Sequence, residues 1–456
     1  MPVTDDVAQP DQAGEQSAAA SLAQATPARI ARLAGSALIV LAAEPLYLMW
    51  DLAVVGRLGA SELAALGVAS LVLGVISTQL TFLSYGTTAR SARAYGRGDR
   101  TGAIDEGMSA SWLAVIAGAV IIAVVWPTAP YIFDVLTGHH DIASAATSWL
   151  RIAVFGVPLI LLSMAGNGWM RGVQDTRRPI VYVVTGLGLS AVLCPLLVHG
   201  IAGAPRLGLE GSAWANVIGQ SVAGLAFVIS VVAAARGRVR PRWSLIGSQL
   251  RMGRDLIVRS LSFQICFLSA AAVASRFGVA AVAAHQVVMQ VWNFVSLLLD
   301  ALAIAAQALV GAALGAGAVA VAKSVAWRVT IASFAASAVL ALVFALGRSV
   351  LPRLFTGSAS VLDAIAVPWW FLVVMLPVAG VVFALDGVLL GSGDAAFLRT
   401  ATLASALVGF LPAIWMSLAF GWGLTGIWSG LLIFLLARLL TQVLRIRSGR
   451  WTSIEL

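Results

Sequence analysis

Two carboxylates, Glu44 and Asp51, stand seven residues apart in the otherwise apolar stretch "EPLYLMWDLAVVGRLG" at residues 44–59. Seven residues are nearly two helical turns, so both side chains fall within about 20° of each other on one helix face. A carboxylate at the centre of a membrane helix costs about 2.5–3.5 kcal/mol unless it is paired or faces water. The spacing therefore predicts one polar cavity that both carboxylates face, with Tyr47 on the same stripe.

The chemistry expected of these groups is proton binding. Removal from water disfavours the charged form of a carboxyl group, so Asp51 is predicted to take up a proton and to hold substrate in alternation. The alternative is a buried hydrogen bond between helices. Glu44 either lines water, partners another polar side chain, or titrates together with Asp51 as a coupled pair. Pro45 removes one backbone hydrogen bond and makes this helix a candidate for bending.

The elements that position these residues are membrane helices. Hydrophobic residues make up 60% of the 456 and charged residues 11%, with a mean hydropathy of +0.94, which excludes an ordinary soluble chain. Apolar runs of about 20 residues match a hydrocarbon core of about 30 Å. They predict twelve helices, at 33–56, 66–89, 108–129, 145–168, 180–202, 210–234, 255–275, 284–311, 327–347, 362–386, 398–420 and 424–444.

The charge distribution predicts the orientation. When successive loops are assigned to alternate sides, 23 of the 29 Lys and Arg residues fall on one side, so both termini are predicted to be cytoplasmic in a multi-pass protein of the cell (plasma) membrane. Residues 1–28, acidic and without basic residues, are predicted to be a disordered cytoplasmic tail. The basic residues are scattered among short loops, which argues against a nucleic-acid partner. Cys194 and Cys266 fall inside predicted helices and indicate neither a disulfide nor a metal site.

An internal repeat organises the chain. One ungapped offset of 219 residues pairs "RLGASELAAL" with "RFGVAAVAAH", "AYGRG" with "ALGAG", and "NGWMRGVQD" with "DGVLLGSGD". Six helices separate equivalent positions, so the halves insert in parallel. The predicted fold is an all-α polytopic membrane protein with twelve transmembrane helices in two six-helix lobes, related by pseudo-two-fold symmetry along the membrane normal. The predicted parts are an N-lobe at 29–234, a cytoplasmic linker at 235–254, a C-lobe at 255–444 and a cytoplasmic C-terminus at 445–456.

Four stretches carry a resemblance to a known family: "PLYLMWDLAVVGRLG", "GTTARSARAYGRGD", "GNGWMRGVQDTRRP" and "LDGVLLGSGD". They resemble the multidrug and toxic compound extrusion (MATE) transporters, and within them the DinF-like branch. The resemblance implies twelve helices in two lobes and export of drug-like compounds in exchange for protons or sodium. Asp51, Asp300 and Asp386 match acidic positions of that pattern. Many prokaryotic members carry an asparagine and an aspartate where this sequence has Ser190 and Cys194, which weakens the sodium interpretation, because a thiol is a poor ligand for a hard cation.

The predicted cavity gathers polar and aromatic residues of both lobes. Its members are Asp51, Tyr47, Trp50, Asn167, Ser190, Cys194, Asn216, Gln264, Gln290, Asn293, Asp300 and Asp386. For the amides, hydrogen bonding between helices is an equally good explanation. Tryptophan more often anchors a helix at the membrane interface than stacks on substrate. Asp386 could instead cap a helix or contact a loop.

The predicted function is export of drug-like, often cationic or amphipathic compounds in exchange for protons, by a monomer without cofactor or bound metal. The alternatives are a sodium-coupled exporter of the same family and a flippase for lipid or polyisoprenoid-linked precursors. A flippase would need a larger and more basic cavity for a phosphate headgroup, and the sequence offers few intramembrane arginines. A channel fits the duplicated lobes less well, and no HExxH, GxSxG or Walker loop indicates an enzyme.

Overall fold

The computed structural model of this chain describes residues 26–454. The predicted tail at 1–28 lies outside the described residues except for its last three, and the first helix begins at Pro27. Every regular element in the described range is helical, and twelve of the helices there are long and apolar enough to cross a membrane. The predicted all-α fold with twelve membrane helices is therefore confirmed.

The twelve spans are named α1 to α12 in chain order. Their bounds are Pro27–Val55, Ala60–Gly96, Arg100–Thr137, His140–Gly172, Arg177–His199, Leu209–Ala235, Trp243–Ser275, Val279–Gly315, Val319–Ser349, Ala359–Ser392, Ala395–Phe420 and Gly423–Arg447. Most are longer than predicted, because polar residues continue a helix past the apolar run. Three spans are locally irregular: α2 has a turn at Thr81, α4 has a 3₁₀ turn at Val154–Gly156, and α11 has a π-helical stretch at Ser405–Phe410.

The helices end where the sequence supplies caps. The Asp99 carboxylate accepts a hydrogen bond of 2.7 Å from the Gly102 amide and caps the start of α3. At the other end of α3, Gly138 adopts a left-handed conformation that most side chains avoid. Pro45 lies inside α1, as the sequence showed, and leaves one carbonyl of that helix without its backbone partner.

The segment predicted as a linker, 235–254, is only partly a connection. Residues 236–242 join the two halves, and from Trp243 onward the chain is helical as the start of α7. The linker is fixed to the first half of the chain by an ion pair of 2.9 Å between Arg242 and the buried Asp105 of α3. A continuous helix forms there because residues 243–254 contain no proline, and their two glycines, Gly247 and Gly253, lower the helix propensity without breaking the helix.

The 219-residue offset found in the sequence also relates helices in space. Spans α2 and α8 have bounds shifted by 219 at both ends, and α3 and α9 begin at equivalent residues. Gly168 and Gly387 are equivalent, and a Cβ at either would overlap a main-chain oxygen, of Ser84 and Ala303 respectively, which are themselves equivalent. The two halves therefore repeat their closest backbone approaches as well as their helix bounds.

The same symmetry holds where the lobes meet. The turns 97–99, 173–176, 236–242, 316–318 and 393–394 lie on one side of the helix bundle, which we name the linker face. Close to it α2 packs on α8: a Cβ at Gly96 would overlap the carbonyl oxygen of Ala312, and a Cβ at Gly315 would overlap that of Arg93. Positions 93 and 312 are equivalent, so the two contacts are symmetric copies of each other.

The C-terminal segment covers this junction. Arg93 donates two hydrogen bonds of 2.9 Å, one to the carbonyl oxygen of Ser392 at the end of α10 and one to that of Ile454. Trp451, in a 3₁₀ turn at Arg450–Ser453, is buried in the same hydrophobic cluster as residues of α2 and α8. The lobes are thus joined at the linker face.

Candidate functional site

Two cavities of about 450 Å³ each lie deep among the helices, one in each half of the chain. The N-lobe cavity is lined by polar residues that include Glu44, Trp149, Asn167, Arg171, Asn216 and Gln220. The C-lobe cavity is lined by polar residues that include Arg259, Gln264, Asn293, Asp300, Asp386 and Arg438. Thr78, Thr81 and Tyr85 of α2 line both cavities, so the cavities are neighbours. The structure thus places seven sequence-predicted residues in cavity walls: Glu44, Asn167, Asn216, Gln264, Asn293, Asp300 and Asp386.

The two cavity walls are formed by equivalent positions of the repeat, but the residue types at those positions differ. Glu44 of the N-lobe cavity corresponds to Phe263 of the C-lobe cavity under the 219-residue offset. Asn167 likewise corresponds to Asp386. Duplication therefore preserved the positions that form a cavity, while the side chains diverged.

Asp51 lies in an enclosure of its own rather than in a cavity wall. It is 2% exposed. Its Oδ1 accepts a hydrogen bond of 3.1 Å from the Cys194 thiol of α5, and its Oδ2 accepts one of 2.8 Å from the Ser212 hydroxyl of α6. No ion pair involving Asp51 occurs in residues 26–454. Two neutral donors are the groups that stabilise its charge.

Trp149 of α4 separates this enclosure from the N-lobe cavity. Its ring lines the cavity, and its indole N–H donates a hydrogen bond of 3.3 Å to the Ser212 hydroxyl oxygen. The prediction that Glu44 and Asp51 face the same cavity is therefore wrong in this structure. Asp51 is about 10 Å further along α1, where the neighbouring helices have closed around it.

Four further predicted cavity residues lie elsewhere. Tyr47 is buried outside both cavity walls, and Trp50 is 47% exposed and donates its indole N–H to the Ala191 carbonyl oxygen at 2.9 Å. Ser190 is buried and donates to the Ala215 carbonyl oxygen at 3.0 Å. Gln290 is exposed and lines neither cavity. Ser190 thus joins α5 to α6 and does not line a cavity.

The C-lobe carboxylate Asp386 is held by two arginines. Its Oδ2 accepts hydrogen bonds from Arg259 at 2.7 Å and from Arg438 at 2.5 Å, while its Oδ1 accepts one from the Gln442 amide at 2.7 Å. Both guanidinium groups also stack on the Phe263 ring, at 5.4 and 4.7 Å from its centroid. A carboxylate with this many donors is a structural anchor between α7, α10 and α12.

Three arginines line the cavities, which corrects the sequence argument that intramembrane arginines are few. Arg171 lies in the wall of the N-lobe cavity, and Arg259 and Arg438 lie in that of the C-lobe cavity. The sequence argument had assigned them to one membrane side because they fall near helix ends. Arg259 and Arg438 lie inside the predicted helices 255–275 and 424–444, and this signal could have placed them in the membrane.

Two charged residues of the cavities lack a bonded partner. Arg171 is 8% exposed and, within the described chain, makes no hydrogen bond or ion pair at normal distances. Asp300 on α8 likewise accepts no hydrogen bond there, although Arg259 and Arg438 line the same cavity. Tyr85, which lines both cavities, lies within electrostatic range of Arg171 and Asp300.

The donor sets do not suit a metal ion. No group of three or more His, Cys, Asp or Glu side chains converges anywhere between residues 26 and 454. Around Asp51 the neighbouring donors are one thiol and one hydroxyl, and hard cations require several oxygen ligands. A proton needs only one of the carboxylate oxygens.

Ser212 and Trp149 were not among the predicted site residues. Serine is common in membrane helices and carries no charge, so its sequence context gives little signal. The bond from Trp149 to Ser212 and the bond from Ser212 to Asp51 depend on the packing of α1, α4 and α6, which hydropathy does not specify. The family departure at Cys194 was the one available pointer, since it marked the residue that contacts Asp51.

Comparisons with known proteins agree with this architecture. The family model MatE matches residues 36–196 and again 256–415, once in each half. Protein DETOXIFICATION 44 of Arabidopsis thaliana is 31% identical over 93% of this chain and 83% of its own length. DNA damage-inducible protein F of Escherichia coli is 28% identical over 86% of both chains. A crystal structure of a MATE in the bent conformation aligns with a TM-score of 0.84 at 21% identity, covering 95% of this chain and 98% of that one. Because the family model covers most of the chain, twice over, this protein belongs to the MATE family of membrane transporters.

Proposed function

We propose that this MATE protein exports drug-like, often cationic or amphipathic compounds in exchange for protons. It would work as a monomer by alternating access, in the plasma membrane with the linker face toward the cytoplasm. The two cavities, open to residues of both lobes and largely apolar in their lining, suit compounds of mixed chemistry.

The observation that supports proton coupling is the enclosure of Asp51. A proton that binds to Oδ2 of Asp51 removes its negative charge and occupies one of its lone pairs, so the hydrogen bond from Ser212 is weakened or reversed. Ser212 also accepts from Trp149, and the Trp149 ring is part of the N-lobe cavity wall. Proton binding at Asp51 thus changes a hydrogen-bond chain that ends at the substrate cavity.

The proposed cycle follows from this chain. With Asp51 ionised, the wall at Trp149 has the arrangement seen here and the cavity binds substrate. A proton arriving from outside reorganises the bonds of Ser212, alters the packing of α1 around Pro45 and weakens substrate binding. Return to the state open at the linker face releases the proton into the cytoplasm. The closed linker face described here corresponds to the outward-facing part of the cycle.

Magnitudes limit what such exchange can do. One charge moved through about 100 mV yields about 2.3 kcal/mol, and a tenfold concentration ratio costs about 1.4 kcal/mol. One proton therefore sustains about 40-fold export of a neutral compound. A monovalent cation exchanged for one proton would use only the pH gradient, and a second titrating group at Glu44 restores the use of membrane potential.

The decisive experiment is efflux from proteoliposomes with proton and sodium gradients imposed independently. The wild type and Asp175→Asn, a change in a turn at the linker face, should export only when a proton gradient is present. Asp51→Asn should lose that export. Sodium-driven export at fixed pH would support the sodium-coupled alternative instead, and unchanged proton-driven export by Asp51→Asn would remove Asp51 from the mechanism.

One observation favours the alternative function, a flippase for lipid precursors: three arginines line the two cavities. Two of them, Arg259 and Arg438, already share Asp386, so a phosphate headgroup would have to break that anchor. Of these three cavity arginines, only Arg171 has a guanidinium group without a hydrogen bond or ion pair to residues 26–454. Multidrug export therefore remains the better proposal. If the same proteoliposomes flipped a fluorescent polyisoprenoid phosphate, the flippase would become the better proposal.

A further inference from the structure

A third pocket, of about 290 Å³, lies at the end of the bundle opposite the linker face, between the end of α9 and the first turns of α10. Its lining includes Arg348, at the end of α9, and Arg353, in the 3₁₀ turn that follows. Trp369 and Trp370 of α10 also line it. It shares no lining residue with the N-lobe or C-lobe cavity, and we name it the arginine pocket.

The two arginines of this pocket carry charges that no side chain neutralises. Neither Arg348 nor Arg353 forms an ion pair or a side-chain hydrogen bond with residues 26–454. None of the described residues that line the pocket is acidic, and Asp363 of α10 is exposed outside the lining. The pocket therefore presents two positive charges to any group that enters it.

The equivalent place in the N-lobe has a different charge. Spans α4 and α10 begin at residues related by the 219-residue offset, so the comparison holds here. Arg348 corresponds to Ala129, whose side chain is fully buried. Arg353 corresponds to Asp134, a residue of opposite charge. The shared fold of the two halves therefore does not require the pair of positive charges.

The chain segment around the pocket has the composition of a membrane-surface segment. Leu346, Val350, Leu354 and Phe355 are each more than half exposed. Bulky apolar side chains at the end of a membrane helix contact acyl chains, whereas arginine side chains extend to the headgroups. Span α10 has 34 residues and is about 20 Å longer than a hydrocarbon core of about 30 Å. Its first turns, and the pocket with them, therefore lie at the level of the lipid headgroups.

The two tryptophans have different parts in the pocket. Trp369 is buried, and its indole N–H donates a hydrogen bond of 2.9 Å to the Phe344 carbonyl oxygen. Its ring also meets the Phe344 ring edge-on, with centroids 5.6 Å apart. Trp370 is 45% exposed, and the Arg348 guanidinium lies over its ring at 5.5 Å from the centroid. The inner wall is therefore fixed, and a cation–π contact holds one guanidinium in place.

We infer that the arginine pocket binds an anionic phospholipid, with the lipid phosphate between Arg348 and Arg353 and the acyl chains along the exposed apolar residues of 346–355. Guanidinium groups bind phosphate through two parallel N–H donors. A zwitterionic headgroup is disfavoured, because it brings its own cation to a site with two positive charges. In the proposed orientation this lipid belongs to the outer leaflet. It is a lasting contact of the protein and not an exported compound.

The test is native mass spectrometry of the full-length protein, titrated with phosphatidylglycerol or with phosphatidylcholine of the same acyl chains. The wild type should bind the first phosphatidylglycerol about tenfold more tightly, a difference of the size of one charge-assisted hydrogen bond. Arg348→Gln combined with Arg353→Gln should remove that preference, and the corresponding pair of lysine substitutions should retain part of it. Arg57→Gln combined with Arg276→Gln is the matched control, since both arginines are exposed at the same end of the bundle and outside the pocket. It should keep the full preference.

Trp370 gives a second measurement, which locates the bound lipid. Brominated acyl chains quench the fluorescence of nearby tryptophans in proteoliposomes. Brominated phosphatidylglycerol should quench the wild type more than brominated phosphatidylcholine does, and Trp370→Phe should lose this excess. Trp415→Phe, at an exposed tryptophan of α11 outside the pocket, should keep it.

The outcomes are independent of transport. Equal affinity of the wild type for the two lipids would overturn the inference, and so would loss of the preference in the control at Arg57 and Arg276. Displacement of phosphatidylglycerol by an equal concentration of inorganic phosphate would also overturn it, because the pocket would then recognise a free anion and not a lipid. Failure of proton-driven export would leave the lipid site standing, and failure of lipid binding would leave the proposed export standing.

Discussion

The N-lobe and C-lobe cavities have the same volume and are lined by equivalent positions, yet the two lobes surround a buried aspartate in opposite ways. In the C-lobe, Asp386 accepts bonds from two arginines and a glutamine. In the N-lobe, Asp51 has only a thiol and a hydroxyl as donors. The contrast teaches that a buried acid can be committed to structure or kept free to change its charge. Its neighbours decide which.

The largest effect should come from removing the C-lobe anchor. Asp386→Ala removes the carboxylate to which both Arg259 and Arg438 are bonded and should lower the free energy of unfolding by about 3–5 kcal/mol. Asp51→Ala, at the buried aspartate of the N-lobe, removes only bonds from neutral donors and should cost about 1–2 kcal/mol. Denaturant unfolding in detergent micelles, followed by tryptophan fluorescence, measures both. Equal destabilisation would contradict the division between a structural and a functional acid.

The second effect concerns Glu44, which lines the N-lobe cavity where the C-lobe has Phe263. If Glu44 carries a second proton, Glu44→Gln should abolish the response of cation export to membrane potential, a loss of about 40-fold in accumulation at about 100 mV. The response to the pH gradient should persist. Efflux of a monovalent cation at several imposed potentials measures this. Asp300→Asn, at a C-lobe acid, is the control and should keep its potential dependence.

The link between Asp51 and the cavity should be weaker but detectable. Trp149→Phe keeps an aromatic wall and removes the indole donor to Ser212, one hydrogen bond worth about 1 kcal/mol. Proton-driven export should fall about fivefold. Trp112→Phe is the matched control, because that indole donates to the linker at Val239 instead. Export that is equally impaired in both variants would mean that the loss of an indole, and not the contact with Ser212, is responsible.

The smallest effect is expected at the position that departs from the family pattern. Cys194→Ser replaces a thiol donor to Asp51 with a hydroxyl donor and should change proton-driven export by less than about twofold, because a donor remains. Cys266→Ser, at the buried thiol of the C-lobe, controls for loss of a thiol. Sodium stimulation appearing in Cys194→Ser would show that one added oxygen is enough to turn this enclosure into a cation site.

The sequence predicted the architecture well because the signals for it are local. Hydropathy located all twelve helices, and the repeat of "AYGRG" and "ALGAG" coincides with the symmetric contacts of Gly96 and Gly315. Glycine is retained there because the main chain of the opposing helix occupies the place of a Cβ. Such a constraint leaves a trace in sequence that an alignment of the two halves reveals.

The site was harder to predict because its contacts join distant parts of the chain. Glu44 and Asp51 share a helix face, but Trp149 closes the cavity before it reaches Asp51, and no local pattern encodes that closure. Trp50 was included for its aromatic ring, although it bonds to Ala191 outside the cavities. Arg171 was counted as a topological charge. Only packing shows that it lies in a cavity wall.

The paired glycine contacts at the linker face have a mechanical consequence. Position 96 meets position 312, and position 315 meets position 93, so the crossing of α2 and α8 is self-complementary in the way of a two-fold dimer interface. Because the helices are rigid, they cannot separate at one of these two contacts and remain packed at the other. Separation there should be all-or-none, with Arg93 releasing Ser392 and Ile454 in the same motion. The backbone shape therefore disfavours a partly open state in which only one of the two contacts is broken and solutes leak through the linker face.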